Sequence, residues 1–124
     1  MSITEQLKKI EEAYEALTNE AQYLESLKDA LLKRGVAHAN IYMADPHGTG
    51  EANKMYLHHE KDSPTAPENA RRREYIGVDP ERQTEARERV ERWGEYKSAE
   101  AMHKKALSSL AEIRWRIDSL ARRL

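Results

Sequence analysis

Apolar residues recur at alternating spacings of four and three in two long segments of this chain. One stripe runs from Ile3 to Leu24, and the other runs from Tyr96 to Leu124. This alternation is typical of the contact seam of a coiled coil, so it predicts two long helices that each need a partner. The stripes consist of Ile3, Leu7, Ile10, Tyr14, Leu17, Ala21 and Leu24, and of Tyr96, Ala99, His103, Ala106, Leu110, Ile113, Ile117, Leu120 and Leu124.

The residues that flank the first stripe predict where its helix begins and ends. Ser2 can cap the N-terminus, and Glu5 stands at the third position that completes a capping box. Gly35 can adopt the left-handed conformation that ends a helix, which predicts a helix over 2–34. The stripe loses its phase at Lys28. We therefore expect the end of this helix to pack against more than one neighbour.

A last helix is predicted over 79–124. Asp79 is a good cap residue, and Pro80 fits the first helical position. The stripe of this helix slips in heptad phase beside Trp93 and Gly94. Because glycine weakens a helix, the slip predicts either a kink or the close approach of another backbone near residue 94.

Residues 36–78 are richer in proline, glycine and histidine than the two helical segments. Short apolar and aromatic runs at 39–43 and 54–58 predict two strands, because turn-forming residues separate them. The resulting β-hairpin is the favoured interpretation of this part of the chain. A short helix over 51–61 is the alternative.

These elements predict a mainly α fold in a single domain over 1–124. Two long antiparallel, coiled-coil-like helices flank a small hairpin or irregular insert over 36–78. The last predicted helix is longer than the first, so part of its apolar seam needs another cover. Two-fold dimers are the commonest oligomers, and we expect a helical bundle on oligomerisation.

Composition narrows the possible partners. Charged residues make up 35% of the chain and hydrophobic residues 39%, which suits a thin seam better than a thick core. The net charge of −1 creates no global field that selects nucleic acid or membranes. Residues 1–35 carry seven acids and five bases, whereas residues 104–124 carry two acids and six bases. We therefore expect the two helices to attract each other.

Cysteine is absent, so the sequence has no disulfide framework and no cysteine-based zinc site. The first residues do not resemble a signal peptide, and no apolar run approaches the length of a membrane span. A cytoplasmic location without membrane contact is the expectation.

Arginine and glycine residues of the insert suggest an anion site. Arg71, Arg72 and Arg73 could contact phosphates, and so could the backbone of the His-Gly-Thr-Gly turn at 47–50. The spacing of this turn matches neither the P-loop nor the dinucleotide fingerprint, and a solvated arginine run is the simpler interpretation. Binding of nucleic acid or of a small phosphate-bearing ligand is nevertheless the alternative function.

Histidine and carboxylate side chains of the insert are of the types that bind zinc. They are His38, His47, His58, His59, Asp45 and Glu60. Their spacing is not that of a helical ligand pair, and in a strand His58 and His59 would point to opposite faces. We predict no metal and no cofactor. The chain also lacks a nucleophile motif, so we predict that it is not an enzyme.

Trp115 is the predicted interface anchor, because it lies off the apolar stripe between Arg114 and Arg116. Tyr42, Tyr56 and His47 of the insert complete the predicted partner-binding residues. The leading hypothesis is a non-enzymatic protein–protein interaction module that forms a homodimer and binds another protein. It would act as a regulatory adaptor or inhibitor, of the kind that phages also encode.

Overall fold

The computed structural model describes residues 2–45, 48, 53–61, 63–65 and 72–123. Within these residues the elements are α1 (Ile3–Arg34), β1 (Ala39–Ala44), β2 (Lys54–His59), β3 (Arg73–Gly77) and α2 (Pro80–Ala121). The strands form one sheet in the order β1-β2-β3. Of the predicted site residues, His47 and Arg71 lie outside the described residues, as does most of the 47–50 turn.

The predicted fold class is wrong, because the insert is a three-stranded antiparallel sheet in the described residues and not a small hairpin or irregular segment. β1 and β2 pair along their whole length, from Ala39 opposite His59 to Ala44 opposite Lys54. β3 pairs with the other edge of β2. β2 occupies most of the segment for which a short helix was the alternative, so that helix does not form there.

The chain divides into two compact units. Met1–Ala30 and Lys97–Leu124 form one, which we call the helical unit, and Leu31–Tyr96 form the other, which we call the sheet unit. The boundaries lie close to Lys28 and Gly94, where the two stripes slip. The regular seams therefore end close to where the sheet unit begins.

In the helical unit α1 and the second half of α2 run antiparallel. Leu17 of α1 lines a groove with Ala106 of α2, whereas Ile10 lines a groove with Leu120. Earlier positions of α1 thus meet later positions of α2. The buried seam positions of this unit are Ala21, Leu24, Ala99 and Ala106.

Hydrogen bonds and backbone angles explain where the helices begin and end. The Ser2 hydroxyl accepts a hydrogen bond from the Glu5 N–H at 3.1 Å, which confirms the predicted cap. Gly35 has a φ of 100°, the left-handed conformation expected at the end of α1. At the start of α2 the Glu81 N–H donates to the Asp79 carboxylate at 3.0 Å.

α2 continues as a helix through Gly94. Among the described atoms outside the local helix backbone, a Cβ added at Gly94 would meet nothing within 4 Å. The predicted close approach of another backbone is therefore wrong, and the kink stays a prediction. Beside Gly94, the Trp93 ring stacks on His38 at a centroid distance of 5.0 Å and on Tyr96 at 5.4 Å.

The inner face of the sheet packs against the first half of α2. Met55 and Leu57 of β2 are fully buried and cluster with Ile76 of β3 and Ala86 of α2. Successive side chains of a strand point to opposite faces. The side chains between these inward positions therefore lie on the outer face of the sheet.

Candidate functional site

The outer face of the sheet carries three tyrosines in register, which we call the tyrosine row. Tyr42 of β1 pairs with Tyr56 of β2, and Tyr56 pairs with Tyr75 of β3. The ring centroids of Tyr42 and Tyr56 are 6.5 Å apart, and those of Tyr56 and Tyr75 are 5.1 Å apart. Tyr42 is 49% exposed and Tyr75 is 52% exposed. The two outer rings are thus accessible to a ligand.

A second row of exposed side chains, which we call the polar row, lies beside the tyrosine row. It consists of Asn40, His58 and Arg73, which also face one another in register. The His58 ring stacks on Tyr42 with centroids 5.3 Å apart. The guanidinium carbon of Arg73 lies 3.9 Å from the centroid of Tyr56, in a cation–π contact. The two rows therefore contact each other along the sheet.

The outer face is aromatic and cationic. Its side chains, all within the described residues, are Asn40, Tyr42, Ala44, Lys54, Tyr56, His58, Arg73 and Tyr75. None of them is a carboxylate, although the chain contains 22 acidic residues. Negative ligands would therefore meet no negative charge, and no repulsion, from these strand residues.

Gly77 shapes one end of the tyrosine row. It has a φ of 103° and pairs with Met55 where the register between β2 and β3 shifts. Atoms of the Tyr75 ring lie 3.6 Å from the position that a Cβ on Gly77 would occupy. The Gly77 carbonyl accepts a hydrogen bond from the Gln83 side chain at 2.8 Å. Glycine thus permits the left-handed backbone here, whereas a Cβ would make only ordinary van der Waals contact with the tyrosine ring.

An ionic network on the inner face fixes β3 beneath the tyrosine row. The Glu74 carboxylate accepts hydrogen bonds from Arg89 at 2.9 and 3.2 Å, and it lies 2.8 Å from Nε2 of the fully buried His59. Burial acts to raise the pKa of Glu74, but the hydrogen bonds with Arg89 and His59 outweigh burial and hold that pKa below its usual range. Because Glu74 stands between Arg73 and Tyr75, the network holds the strand that carries both.

A buried arginine joins the end of α1 to α2 within the sheet unit. Arg92 is 6% exposed and donates hydrogen bonds to the carbonyls of Gly35 at 2.6 Å and Arg34 at 3.2 Å. These carbonyls lie at the negative end of α1, where a cation is favourable. Arg92 also bonds to Glu85 at 2.6 Å and lowers the pKa of that carboxylate.

The predicted partner-binding residues are divided between the two units. Trp115 is 69% exposed on α2 in the helical unit, and Arg114 and Arg116 beside it are exposed as well. Tyr42 and Tyr56 lie in the sheet unit, where they are neighbours in the tyrosine row. His47 is outside the described residues.

The predicted anion-binding residues are only partly described, because Arg71 is not among the described residues. Arg72 donates from Nε to a backbone carbonyl of β2 at 3.1 Å. Arg73 lies on the ring of Tyr56. The structure thus brings together one residue that was predicted to bind anions and one that was predicted to bind a protein partner.

Tyr75 was missed as a functional residue, because β3 was not predicted. A signal was present in the sequence. Tyr75 and Ile76 are typical strand residues, and Gly77 bounds the run. With the strand identified, Tyr75 would have been placed on the outward face.

The histidines do not assemble a metal site in the described part of the chain. No group of three or more histidine, aspartate or glutamate residues there could hold a metal ion. His58 is exposed and His59 is buried, which confirms that the two point to opposite faces. His59 instead serves the network around Glu74.

Comparisons with known proteins show no family for this chain. No protein-family model matches it, and neither does any curated protein or solved structure. Within the described residues, neither helix has the length and apolar character needed to cross a membrane. The function therefore has to be argued from the geometry of the chain itself.

Proposed function

We propose that this chain is a non-enzymatic binding protein and that the outer face of its sheet binds single-stranded nucleic acid. The observation that supports this proposal is the tyrosine row with Arg73 on its central ring. Unstacked bases bind to aromatic side chains with about 1–3 kcal/mol per base. Cationic side chains hold the phosphates, and an antiparallel sheet with one open face can present both kinds of group.

The charges of the outer face favour nucleic acid over a protein partner. Exposed tyrosine and arginine side chains also anchor protein interfaces. However, the strand residues of this face offer no carboxylate to the lysines and arginines of a protein surface. Both cationic positions, Lys54 and Arg73, would instead suit a polyanion. For this reason we place nucleic acid first and protein–protein interaction second, which reverses the order that the sequence favoured.

The test is a binding measurement by fluorescence anisotropy at low salt, with a labelled oligothymidine of about ten nucleotides as the probe. Tyr42→Thr and Tyr75→Thr each remove one outer ring and keep a residue that favours strands. We expect each variant to weaken binding by about tenfold or more, which corresponds to the loss of one base stack.

Tyr23→Gln is the matched control, because Tyr23 is exposed on α1 in the helical unit. We expect it to bind the probe as the unchanged chain does. Circular dichroism and thermal unfolding of every variant show whether the fold is retained. The proposal is contradicted if the probe does not bind at low salt, or if folded variants without the outer rings bind it equally well.

Trp115 supports a second candidate function, self-association through the helical unit. Its ring is exposed, and it lines a groove with Ile10 and Leu120. A second copy of the chain is the simplest cover for this exposed ring, because two-fold dimers are the commonest oligomers. A regulatory adaptor or inhibitor would use the same anchor. We place nucleic-acid binding and self-association in the cytoplasm, the location that the sequence favours.

Light scattering over a range of protein concentrations tests this second candidate. We expect a dimer mass for the unchanged chain and a monomer mass for Trp115→Ala. Tyr23→Gln again serves as the control and should keep the dimer. A monomer for the unchanged chain, or a dimer that survives Trp115→Ala, would dismiss the role of this residue.

A further inference from the structure

We infer that the smallest ligand of the outer face is a dinucleotide step with splayed bases, one on Tyr42 and one on Tyr75, and with the joining phosphate on Arg73. This inference rests on the proposed function and deepens it. It assigns a separate chemical role to each of three neighbouring side chains. Two of them bind bases, and the third binds the charge between them.

The central ring of the tyrosine row is not open to a base. Arg73 covers Tyr56 at 3.9 Å, and Tyr56 is only partly exposed. The His58 ring stacks on Tyr42, but the outer rings of Tyr42 and Tyr75 are each still about half exposed. Bases can therefore reach the two ends of the row, whereas the middle is occupied by a guanidinium group.

The spacing of the outer rings selects an unstacked ligand. They stand on β1 and β3 with β2 between them, so they are separated by two interstrand spacings, or about 10 Å. Successive bases in a stacked strand are only about 3.4 Å apart. A duplex cannot open its bases to this distance without unpairing, whereas a single strand splays them readily.

Arg73 is suited to the phosphate that joins the two bases. Its guanidinium group presents several N–H donors in a planar fork that matches phosphate oxygens. The Tyr56 ring beneath it favours a bound cation, which holds the group above the central strand before the ligand arrives. Asn40 and His58 continue the polar row towards β1 and offer further donors to the sugar and phosphate groups.

The experiment measures how well small unlabelled ligands displace the labelled oligothymidine. The ligands are thymidine, the dinucleotide TpT, and TpT whose joining phosphate is replaced by an uncharged methylphosphonate. We expect TpT to compete at least about tenfold better than thymidine, because it engages two rings and the arginine. The methylphosphonate should compete roughly tenfold less well than TpT, because it offers no negative charge to Arg73.

Arg73→Gln provides the decisive comparison. We expect this substitution to lower the affinity for TpT by roughly the factor that separates TpT from the methylphosphonate in the unchanged chain. The affinity for the methylphosphonate should stay the same. Arg73→Lys keeps the charge without the planar fork. Its affinity for TpT should lie between those of the unchanged chain and of Arg73→Gln. Arg87→Gln is the matched control, because Arg87 is an exposed arginine of α2 and is not one of the strand residues of the outer face. It should affect the charged and uncharged dinucleotides to the same small extent.

Two results would overturn the dinucleotide inference while the proposed function stands. In the first, thymidine competes as well as TpT although Tyr42→Thr still weakens binding of the labelled probe. In the second, Arg73→Gln weakens the charged and uncharged dinucleotides equally. If the labelled probe itself does not bind, the proposed function fails and this inference fails with it.

Discussion

The helical unit and the sheet unit are stabilised in different ways. The helical unit buries small and branched apolar residues along one seam, as Ala21, Leu24 and Ala106 show. The sheet unit has an apolar cluster too, but it also buries His59 and Arg92. Buried polar groups must be satisfied by specific partners, so the sheet unit depends on contacts between residues that are far apart in the sequence.

This difference bears on where a binding face can be built. A seam of alternating apolar residues specifies that two helices meet, but the outward positions are left to solvated charges. In the sheet unit the Glu74 network holds the strands from below, and the hydrogen bond from Gln83 to the Gly77 carbonyl holds them at one end. The tyrosine row above them is therefore presented by a rigid support, which lowers the entropy that a ligand must overcome.

Arg92→Met is the most severe test of this difference. It removes the donors that satisfy the Gly35 and Arg34 carbonyls and leaves Glu85 without its buried cation. We expect a loss of about 2–5 kcal/mol in the free energy of unfolding, measured in urea, because two carbonyls lose their donor. Arg87→Met, at an exposed position of the same helix, should cost less than about 0.5 kcal/mol. Equal effects of the two substitutions would show that the sheet unit, too, relies on apolar packing.

Leu24→Ala tests the seam of the helical unit in the same way. Leu24 is buried in α1, and its truncation leaves a cavity between the helices. We expect a loss of about 2–4 kcal/mol in unfolding free energy by chemical denaturation. Leu32→Ala is the matched control at an exposed position of α1. A loss at Leu24 no larger than that at Leu32 would mean that the stripe is not what stabilises this unit.

Glu74→Gln sharpens the comparison through its pH dependence. The pKa of Glu74 is lower in the folded chain than in the unfolded one, so its contribution is complete above the ordinary glutamate pKa of about 4.3 and is lost as pH falls through the folded value. Near neutral pH we expect the variant to be less stable by about 1–2 kcal/mol, towards the lower end because the carboxylate is partly exposed. Below about pH 4 the difference should shrink.

Urea unfolding at several pH values measures this effect. Glu112→Gln is the control, because Glu112 is an exposed carboxylate whose partner Arg116 is also exposed. It should show little difference from the unchanged chain at any pH. A pH-independent cost at Glu74 would point to lost packing in place of lost charge.

Gly94→Ala has the smallest expected effect, and it is the substitution that we expect to stabilise the fold. The position is exposed within α2, and an added Cβ meets nothing within 4 Å among the described atoms outside the local helix backbone. We expect a gain of about 0.5–1 kcal/mol in unfolding free energy, because alanine favours the helix. A loss on thermal or urea unfolding would be evidence for the kink that the heptad slip predicts.

The parts of the fold that depend on local pattern could be predicted from the sequence. The caps at Ser2 and Asp79 and the left-handed Gly35 follow from short-range chemistry, and β1 and β2 from their apolar and aromatic runs. β3 was missed because its five residues show little alternation of apolar and polar side chains. Its pairing with β2 also depends on the fold and not on a local pattern. The pairs His59–Glu74 and Arg92–Gly35 could not be predicted, because no sequence spacing indicates them.

The candidate site shows the same limit. Tyr42 and Tyr56 were identified as binding residues, and Arg73 was identified as an anion contact. What the sequence could not supply was the register that places Tyr56 between Tyr42 and Tyr75 and brings Arg73 onto its ring. Residues that were predicted to bind different ligands thus lie on one surface, and only the strand register shows this.

The order of the two units along the chain has a consequence for synthesis in the cell. The sheet unit is continuous in sequence, whereas the helical unit is assembled from the two distant stretches that flank it. Chains emerge from the ribosome with their N-terminus first. The sheet unit can complete its core once residue 96 has emerged, but the stripe of α1 must wait for residues 97–124. During that interval its leucines and isoleucines face water, and the nascent chain is then most exposed to aggregation and to chaperones.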